Sequence, residues 1–189
     1  MKKLSCILAI TIGLCFQANA DPAPTTLKVG DDAPEFKIKD SNGKEVNLSD
    51  LTKEGPVLVR LTCGCLGCDL ELPYFAALHD AYEGQGLTSL AVFAEPDAKF
   101  AKYAETRELN MRYALDAKKE SWNVFGTKTM PSNFLIAKGG KIVAVTKGCN
   151  PEGLKAMALG AEAAKLVAAD EVDLAKDVTP RENAKKPKS

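Results

Sequence analysis

The stretch VLVRLTCGCLGCDLELP, residues 57–73, decides the fold. It opens with a run of mostly branched apolar residues, which is typical of a buried strand. The run ends in Cys-x-Cys-x-x-Cys, and helix-forming residues with leucines at helical spacing follow. The stretch therefore predicts a strand, a turn and a helix, with the cysteines where the strand ends and the helix begins.

Cys65 and Cys68 are the candidate catalytic residues. The first backbone N–H groups of a helix lack partners and the helix dipole is positive there, so a thiolate at that end is stabilised. The thiolate is the reactive form of cysteine. We expect Cys65 at the N-cap or in the first turn, and Cys68 about one turn deeper on the same face. Such a pair can close a small disulfide ring and reopen it by attack on another disulfide.

Two other interpretations of the pair are a structural zinc site and a permanent disulfide. A zinc site usually shows a second Cys-x-x-Cys or a pair of histidines, and this sequence has neither, since His79 is its single histidine. We therefore predict redox use of the pair, with no bound metal and no cofactor.

The first twenty residues have the pattern of a signal peptide. Two lysines precede an apolar run from Leu4 to Phe16, and Ala-Asn-Ala ends at Ala20, after which cleavage is expected. The apolar run is too short to hold the chain permanently in a bilayer. The pattern predicts an exported protein without a stable membrane anchor, periplasmic if its source is Gram-negative.

Charge and cysteine content limit the possible partners. The chain has 25 basic and 25 acidic residues, and cleavage would remove two lysines. The slight negative balance that results indicates neither nucleic acid nor an anionic membrane surface as partner. Cleavage also leaves four cysteines, namely Cys63, Cys65, Cys68 and Cys149. Two disulfides are too few to build a domain of this length, so an apolar core must stabilise it.

Composition divides the chain into four segments. We expect a signal peptide at 1–20, a flexible leader at 21–28, one domain at 29–169 and a charged, loose tail at 170–189. The alternation of apolar and polar residues around Asn42-Gly43 predicts a hairpin at the start of the domain.

The segments after the cysteines alternate between helix and strand. An apolar run at 87–93 predicts a strand, and Pro96-Asp97 opens a helix. Two strands joined at Gly139-Gly140 follow, and Asn150-Pro151 is expected to cap a final helix that ends near residue 169. This order predicts an α/β domain: a central mixed β-sheet flanked by helices, with an N-terminal β-hairpin extension.

Three segments in order carry a resemblance to a known family. They are VGDDAPEF at 29–36, CLGCDLELP at 65–73, and MPSNFLI at 130–136 with GKI at 140–142. Together they resemble the thioredoxin superfamily, and most closely its exported TlpA-like thiol-disulfide oxidoreductases, which share a sequence family with AhpC/TSA peroxiredoxins.

The resemblance implies a thioredoxin fold and a role for each site residue. Cys65 would be the nucleophile and Cys68 the resolving thiol. A cis peptide at Pro131 would lie beside them, with the backbone of Met130 near the disulfide, where an extended substrate segment docks. The implied partners are protein disulfides or thiols and an unknown electron donor or acceptor in the membrane.

Glu71 matches an acidic residue that this branch carries three positions after the second cysteine. It either opposes thiolate formation and relays protons, or is a solvated first-turn glutamate favoured by the helix dipole. Thioredoxins proper carry a buried acid at the position of Val59. The family tryptophan is replaced here by Gly64.

Cys63 and Cys149 allow three interpretations. If the last hairpin follows the superfamily topology, Cys149 emerges near the cysteine turn. The two residues then form a second disulfide, relay electrons from the Cys65–Cys68 pair, or join a thiolate cluster for a soft metal such as Cu(I).

The predicted function is that of an exported thiol-disulfide oxidoreductase. One alternative is a peroxiredoxin-like peroxide reductase, since Thr62 and Cys65 form a Thr-x-x-Cys element, although Leu58 stands where a proline is expected. The other is a non-catalytic Cu(I)-binding module that uses Cys63, Cys65, Cys68 and, as a further candidate ligand, Cys149.

Overall fold

A computed structural model describes residues 26–176 and 178 of the chain. The expected signal peptide at 1–20 and most of the expected leader therefore lie outside the described residues.

Helices and strands alternate along most of the described chain. The strands are β1 (Lys37–Lys39), β2 (Glu45–Asn47), β3 (Val57–Thr62), β4 (Thr88–Phe93), β5 (Arg112–Leu115), β6 (Ser132–Ile136) and β7 (Ile142–Lys147). The α-helices are α1 (Leu48–Glu54), α2 (Leu66–Tyr82), α3 (Asp97–Arg107), α4 (Glu120–Val124) and α5 (Leu154–Val167). A single 3₁₀ turn at Glu83–Gln85 extends α2.

Five strands form a mixed sheet in the order β5-β4-β3-β6-β7. β3, β4 and β5 are parallel, whereas β6 and β7 run antiparallel to their neighbours. β1 and β2 form a separate antiparallel hairpin. The predicted α/β class, with a mixed sheet and an N-terminal hairpin, is confirmed. Because β3 is central, the residues after it emerge in the middle of one sheet edge.

Apolar clusters cover both faces of the sheet. Alternation along β3 turns Leu58 toward the cluster that includes α2 and α5, and turns Val57, Val59 and Leu61 toward the opposite cluster. The side of β3 that holds Leu58 also holds Arg60, which is 1% exposed. A charged residue therefore lies beneath α2 in a strand that is otherwise apolar or neutral.

The predicted secondary structure differs from the observed one at two places in the second half of the chain. It did not predict β5, a four-residue edge strand with a charged first residue. It also began the last helix too early, because α5 starts at Leu154. The Asn150 side chain accepts a hydrogen bond from the Leu154 backbone N–H at 2.7 Å, while Gly153 at φ 74° makes the turn into the helix. Asn150, the residue expected at the cap, thus accepts the N–H of the first helical residue although it lies four residues before it.

The first part of the expected loose tail, residues 170–176, contacts the core, while residues 177 and 179–189 lie outside the described residues. Leu174 is 3% exposed and belongs to the core cluster around α2 and α5. The backbone N–H of Val172 also donates to the Tyr82 hydroxyl at 3.0 Å. The charged composition concealed this one buried leucine, which packs where Gly160 leaves room.

Among the described residues, the helices are too short or too polar to cross a bilayer.

Candidate active site

Three cysteines lie close together at the junction between β3 and α2. Cys63 directly follows β3, Cys65 is the N-cap residue of α2, and Cys68 lies in its first turn. The Cys63 sulfur is 2.9 Å from the Cys65 sulfur and 3.4 Å from the Cys68 sulfur. Cys65 is exposed, Cys63 is half-buried and Cys68 is 3% exposed. The predicted N-cap position of Cys65 is confirmed.

The thiols differ in acidity. Burial raises the pKa of the Cys63 thiol, and its hydrogen bond to Cys65 adds to this. Burial also raises the pKa of the Cys68 thiol. Burial opposes ionisation of Cys65 too, but the Cys63 S–H donor and the backbone N–H groups of Cys68 and Gly67 outweigh it, so the Cys65 pKa lies below its ordinary value. Cys65 is therefore the first of the three to become a thiolate.

The Cys149 side chain also lies against the cysteine turn, at Gly67. Its sulfur lies 2.8 Å from where a Cβ on Gly67 would stand, so the absence of a side chain at Gly67 permits the approach. All four cysteines are free thiols in the described chain, and the Cys63 sulfur contacts Cys65 and Cys68. A Cys63–Cys149 disulfide thus stays a prediction.

Met130 and Pro131 lie beside the cysteine turn. The Met130–Pro131 peptide bond is cis, as the resemblance implied. Leu61 pairs with Ser132 in the β3–β6 ladder, and the Pro131 carbonyl accepts the Gly148 N–H at 2.8 Å. Pro131 directly precedes β6. It therefore lies between the end of β3 and the segment that carries Cys149.

Glu71 is held in a buried network behind the cysteines. Its carboxylate accepts from Arg60 Nη2 at 2.9 Å and from the Asn150 backbone N–H at 3.1 Å. Glu71 is 0% exposed, so the interpretation as a solvated first-turn glutamate is wrong. Both carboxylate oxygens have protein partners, and they join α2 to β3 and to the loop after β7.

Arg60 is a site residue that the sequence reasoning missed. Besides Glu71 it donates to Asn133 Oδ1 at 2.9 Å, and its guanidinium lies 3.9 Å from the centre of the Phe75 ring. The buried acid of thioredoxins proper has no counterpart at Val59, and a buried cation occupies the next position. An arginine inside an apolar strand was the available signal.

Glu95 is a second residue that the sequence reasoning missed. Its Oε1 accepts the Gly64 backbone N–H at 2.7 Å, which fixes the turn between Cys63 and Cys65. Its Oε2 is buried and has no hydrogen-bond partner among the described residues. Thr62 and Phe93 are partners at the ends of parallel strands, so residues just after each strand meet at one edge.

Asp69 anchors the first turn of α2 to α3. Its carboxylate accepts two hydrogen bonds from Arg107, at 2.6 and 2.7 Å, and one from the Tyr103 hydroxyl at 3.1 Å. Bidentate arginine–carboxylate pairs have a defined geometry. The helix end that carries Cys65 and Cys68 is thus fixed on two sides, through Asp69 and through Glu71.

The sulfurs of Cys63, Cys65 and Cys68 lie within 4.8 Å of one another and form the one group of potential metal ligands found in the described residues. His79 stands away from them along α2, with its Nε2 paired to Glu83 at 2.6 Å. The potential metal ligands at the cysteine turn are therefore three sulfurs, and the histidine is not among them.

Comparisons with known proteins agree with this geometry. The family model described as AhpC/TSA family matches residues 29–145. The thiol-disulfide oxidoreductase ResA of Geobacillus thermodenitrificans is 32% identical over 143 residues, which cover 75% of this chain and 82% of ResA. ResA of Bacillus subtilis is 30% identical over 152 residues, which cover 80% and 83%.

A crystal structure of a candidate DsbE thiol:disulfide interchange protein from Chlorobium tepidum has a similar fold. The TM-score is 0.68 at 26% identity, and the match covers 75% of this chain and 99% of the other. The predicted oxidoreductase class agrees with the sequence relatives and with this fold. The chain therefore belongs to the AhpC/TSA family, and the ResA proteins to which it is similar are thiol-disulfide oxidoreductases.

Proposed function

We propose that the protein exchanges disulfides with other proteins through Cys65 and Cys68, with Cys65 as nucleophile and Cys68 as resolving thiol. The observation that carries the proposal is the contrast between the two sulfurs on one helical turn. Cys65 is exposed at the N-cap and has a lowered pKa, while Cys68 is buried and has a raised pKa. Of these two sulfurs, a substrate can reach only that of Cys65, which is also the one that ionises first.

The reaction proceeds through a mixed disulfide. The Cys65 thiolate attacks one sulfur of a substrate disulfide, an S–S bond forms, and the other substrate sulfur leaves as a thiolate that takes up a proton. Cys68 then loses its proton and attacks the Cys65 sulfur, which releases the second substrate thiol. Two electrons have moved to the substrate, and the enzyme holds a Cys65–Cys68 disulfide. The same steps in reverse oxidise substrate thiols.

The surroundings keep the two sulfurs in position. The Cys63 thiol donates a hydrogen bond to the Cys65 sulfur. The Glu95 carboxylate accepts the N–H of Gly64, the residue between Cys63 and Cys65. The ion pairs of Asp69 and Glu71 fix the first turns of α2. The segment Met130–Pro131 borders the site, where its backbone would receive an extended substrate chain.

The proposed cellular setting is outside the cytoplasm. An N-terminal signal peptide cleaved after Ala20 would export residues 21–189, to the periplasm in a Gram-negative cell. An electron donor or acceptor in the membrane would then restore the Cys65–Cys68 couple.

Trapping of the mixed disulfide tests this function. A Cys63→Ser/Cys68→Ser variant lacks both thiols that lie close to the Cys65 sulfur, so it should accumulate disulfide-linked adducts at Cys65 when mixed with reducible proteins of an exported-cell extract. A Cys65→Ser variant should form no such adduct. Cys149→Ser is the matched control and should behave like the parent. No adduct with Cys63→Ser/Cys68→Ser would refute the proposal. Peroxide consumption that requires Cys65, without any adduct, would favour the peroxide-reductase alternative.

A further inference from the structure

Cys63 gives this site a third sulfur that the exchange reaction does not need as a reactant. Its sulfur contacts both members of the pair, and the three sulfurs lie within 4.8 Å of one another. Cys63 directly follows the central strand β3, Cys65 is the N-cap residue of α2, and Cys68 lies in the first turn of that helix. The three thiols are therefore held close enough together to bind one metal ion.

We propose that the reduced protein binds one Cu(I) ion as a three-coordinate site formed by Cys63, Cys65 and Cys68. Thiolates are soft ligands, and soft ligands suit Cu(I) as well as zinc and iron–sulfur clusters. A structural zinc site is tetrahedral and takes four protein ligands. The cluster found in the described residues contains three sulfurs, and neither Cys149 nor a histidine belongs to it. The three sulfurs thus suit a three-coordinate Cu(I) ion, whereas zinc would need a water molecule as its fourth ligand.

The backbone around the cluster suits a negatively charged complex. Three thiolates and Cu(I) carry a net negative charge, and Cys65 and Cys68 stand at the N-terminal end of α2, where the helix dipole favours such charge. Exposed Cys65 provides the entry point for ligand exchange, and buried Cys68 closes the inner side.

Copper binding at this site would depend on the redox state of the pair. Each Cu–S bond replaces one S–H bond, so binding releases up to three protons and transfers no electron. A Cys65–Cys68 disulfide removes two of the three ligands. The inference uses two cysteines of the proposed exchange reaction but does not need that reaction to occur.

Anaerobic titration with Cu(I) tests the inference. The chain without its expected signal peptide, residues 21–189, is reduced, freed of reductant and titrated with Cu(I) in competition with a chromogenic Cu(I) chelator, and X-ray absorption counts the sulfur ligands. We expect one Cu(I) with three sulfur ligands. Cys63→Ser should show two sulfur ligands and at least about tenfold weaker binding. Cys149→Ser is the control and should match the parent, and the oxidised protein should not compete.

Three results would overturn the inference. They are no competition with the chelator by the reduced parent, two sulfur ligands in the parent with no change in Cys63→Ser, and displacement of Cu(I) by equimolar zinc. The trapping experiment with Cys63→Ser/Cys68→Ser is read separately. Its success together with any of these three results would leave the exchange function intact and remove the copper site alone.

Discussion

Arg60 of β3 and Glu71 of α2 form a 2.9 Å ion pair with both side chains almost fully buried, at 2% and 0% exposed. Burial of two charges is costly, and their attraction offsets this cost only while both are present. Glu71 also binds the Asn150 backbone, so the pair connects the sheet, the cysteine-bearing helix and the loop after β7. This connection ties the stability of the fold to the position of the catalytic turn.

Removal of one partner of the buried pair should therefore strongly destabilise the protein. We expect Glu71→Gln to lower the free energy of unfolding by about 3–5 kcal/mol, because Arg60 is left as an uncompensated buried charge. Urea unfolding measures the change. Combining Glu71→Leu with Arg60→Met should recover a large part of the loss. Glu162→Gln, which breaks an exposed pair with Lys165, should leave the unfolding midpoint unchanged, and an equal loss there would contradict the argument.

The reaction of Cys65 with alkylating agents should have a pH midpoint on the acid side of that of an unfolded cysteine. Only the thiolate reacts, and the pKa of Cys65 is lowered, so the reactive fraction appears at lower pH. Iodoacetamide rates followed by peptide mass spectrometry across pH give the midpoint. A midpoint at or above that of the urea-unfolded chain would refute the assignment of Cys65 as nucleophile.

Substitution of Cys63 should separate its hydrogen bond from its sulfur chemistry. Cys63→Ala removes the S–H donor that favours the Cys65 thiolate, so the alkylation midpoint of Cys65 should move toward higher pH. Cys63→Ser keeps a donor at this position and should hold the midpoint close to that of the parent. Equal shifts in the two variants would show that the hydrogen bond does not control the acidity of Cys65.

The sequence revealed the parts of this site that depend on neighbours along the chain. A strand, a turn and a helix follow from apolar runs and spacing, and Cys65 lies at the helix start as that pattern requires. The partners of Arg60 at Glu71 and Asn133 are 11 and 73 residues away, and periodicity carries no information about such pairs. The same holds for Glu95 and Gly64, which only the parallel pairing of β3 and β4 brings together.

Neutralisation of Glu95 should make Cys65 a stronger acid. The Glu95 carboxylate binds the N–H of Gly64, next to Cys65, and a negative charge there disfavours a thiolate. Glu95→Gln keeps an oxygen that can accept the Gly64 N–H but removes the charge, so the alkylation rate of Cys65 at a fixed pH below its midpoint should rise. Glu95→Ala also loses the acceptor and should cost about 1 kcal/mol of stability. An unchanged or lower rate in Glu95→Gln would contradict this role.

Gly67 and Cys149 should be energetically coupled, since a Cβ at Gly67 would stand 2.8 Å from the Cys149 sulfur. Alanine is the better helix former by up to about 1 kcal/mol, so only crowding opposes Gly67→Ala, and the Cys149 side chain must move to relieve it. We expect Gly67→Ala to destabilise the parent, but to be neutral or stabilising in a Cys149→Ala background. Urea unfolding of the four proteins under reducing conditions should give a coupling free energy of about 1 kcal/mol. Additive effects within about 0.3 kcal/mol would mean that Cys149 does not rest against the catalytic turn in solution.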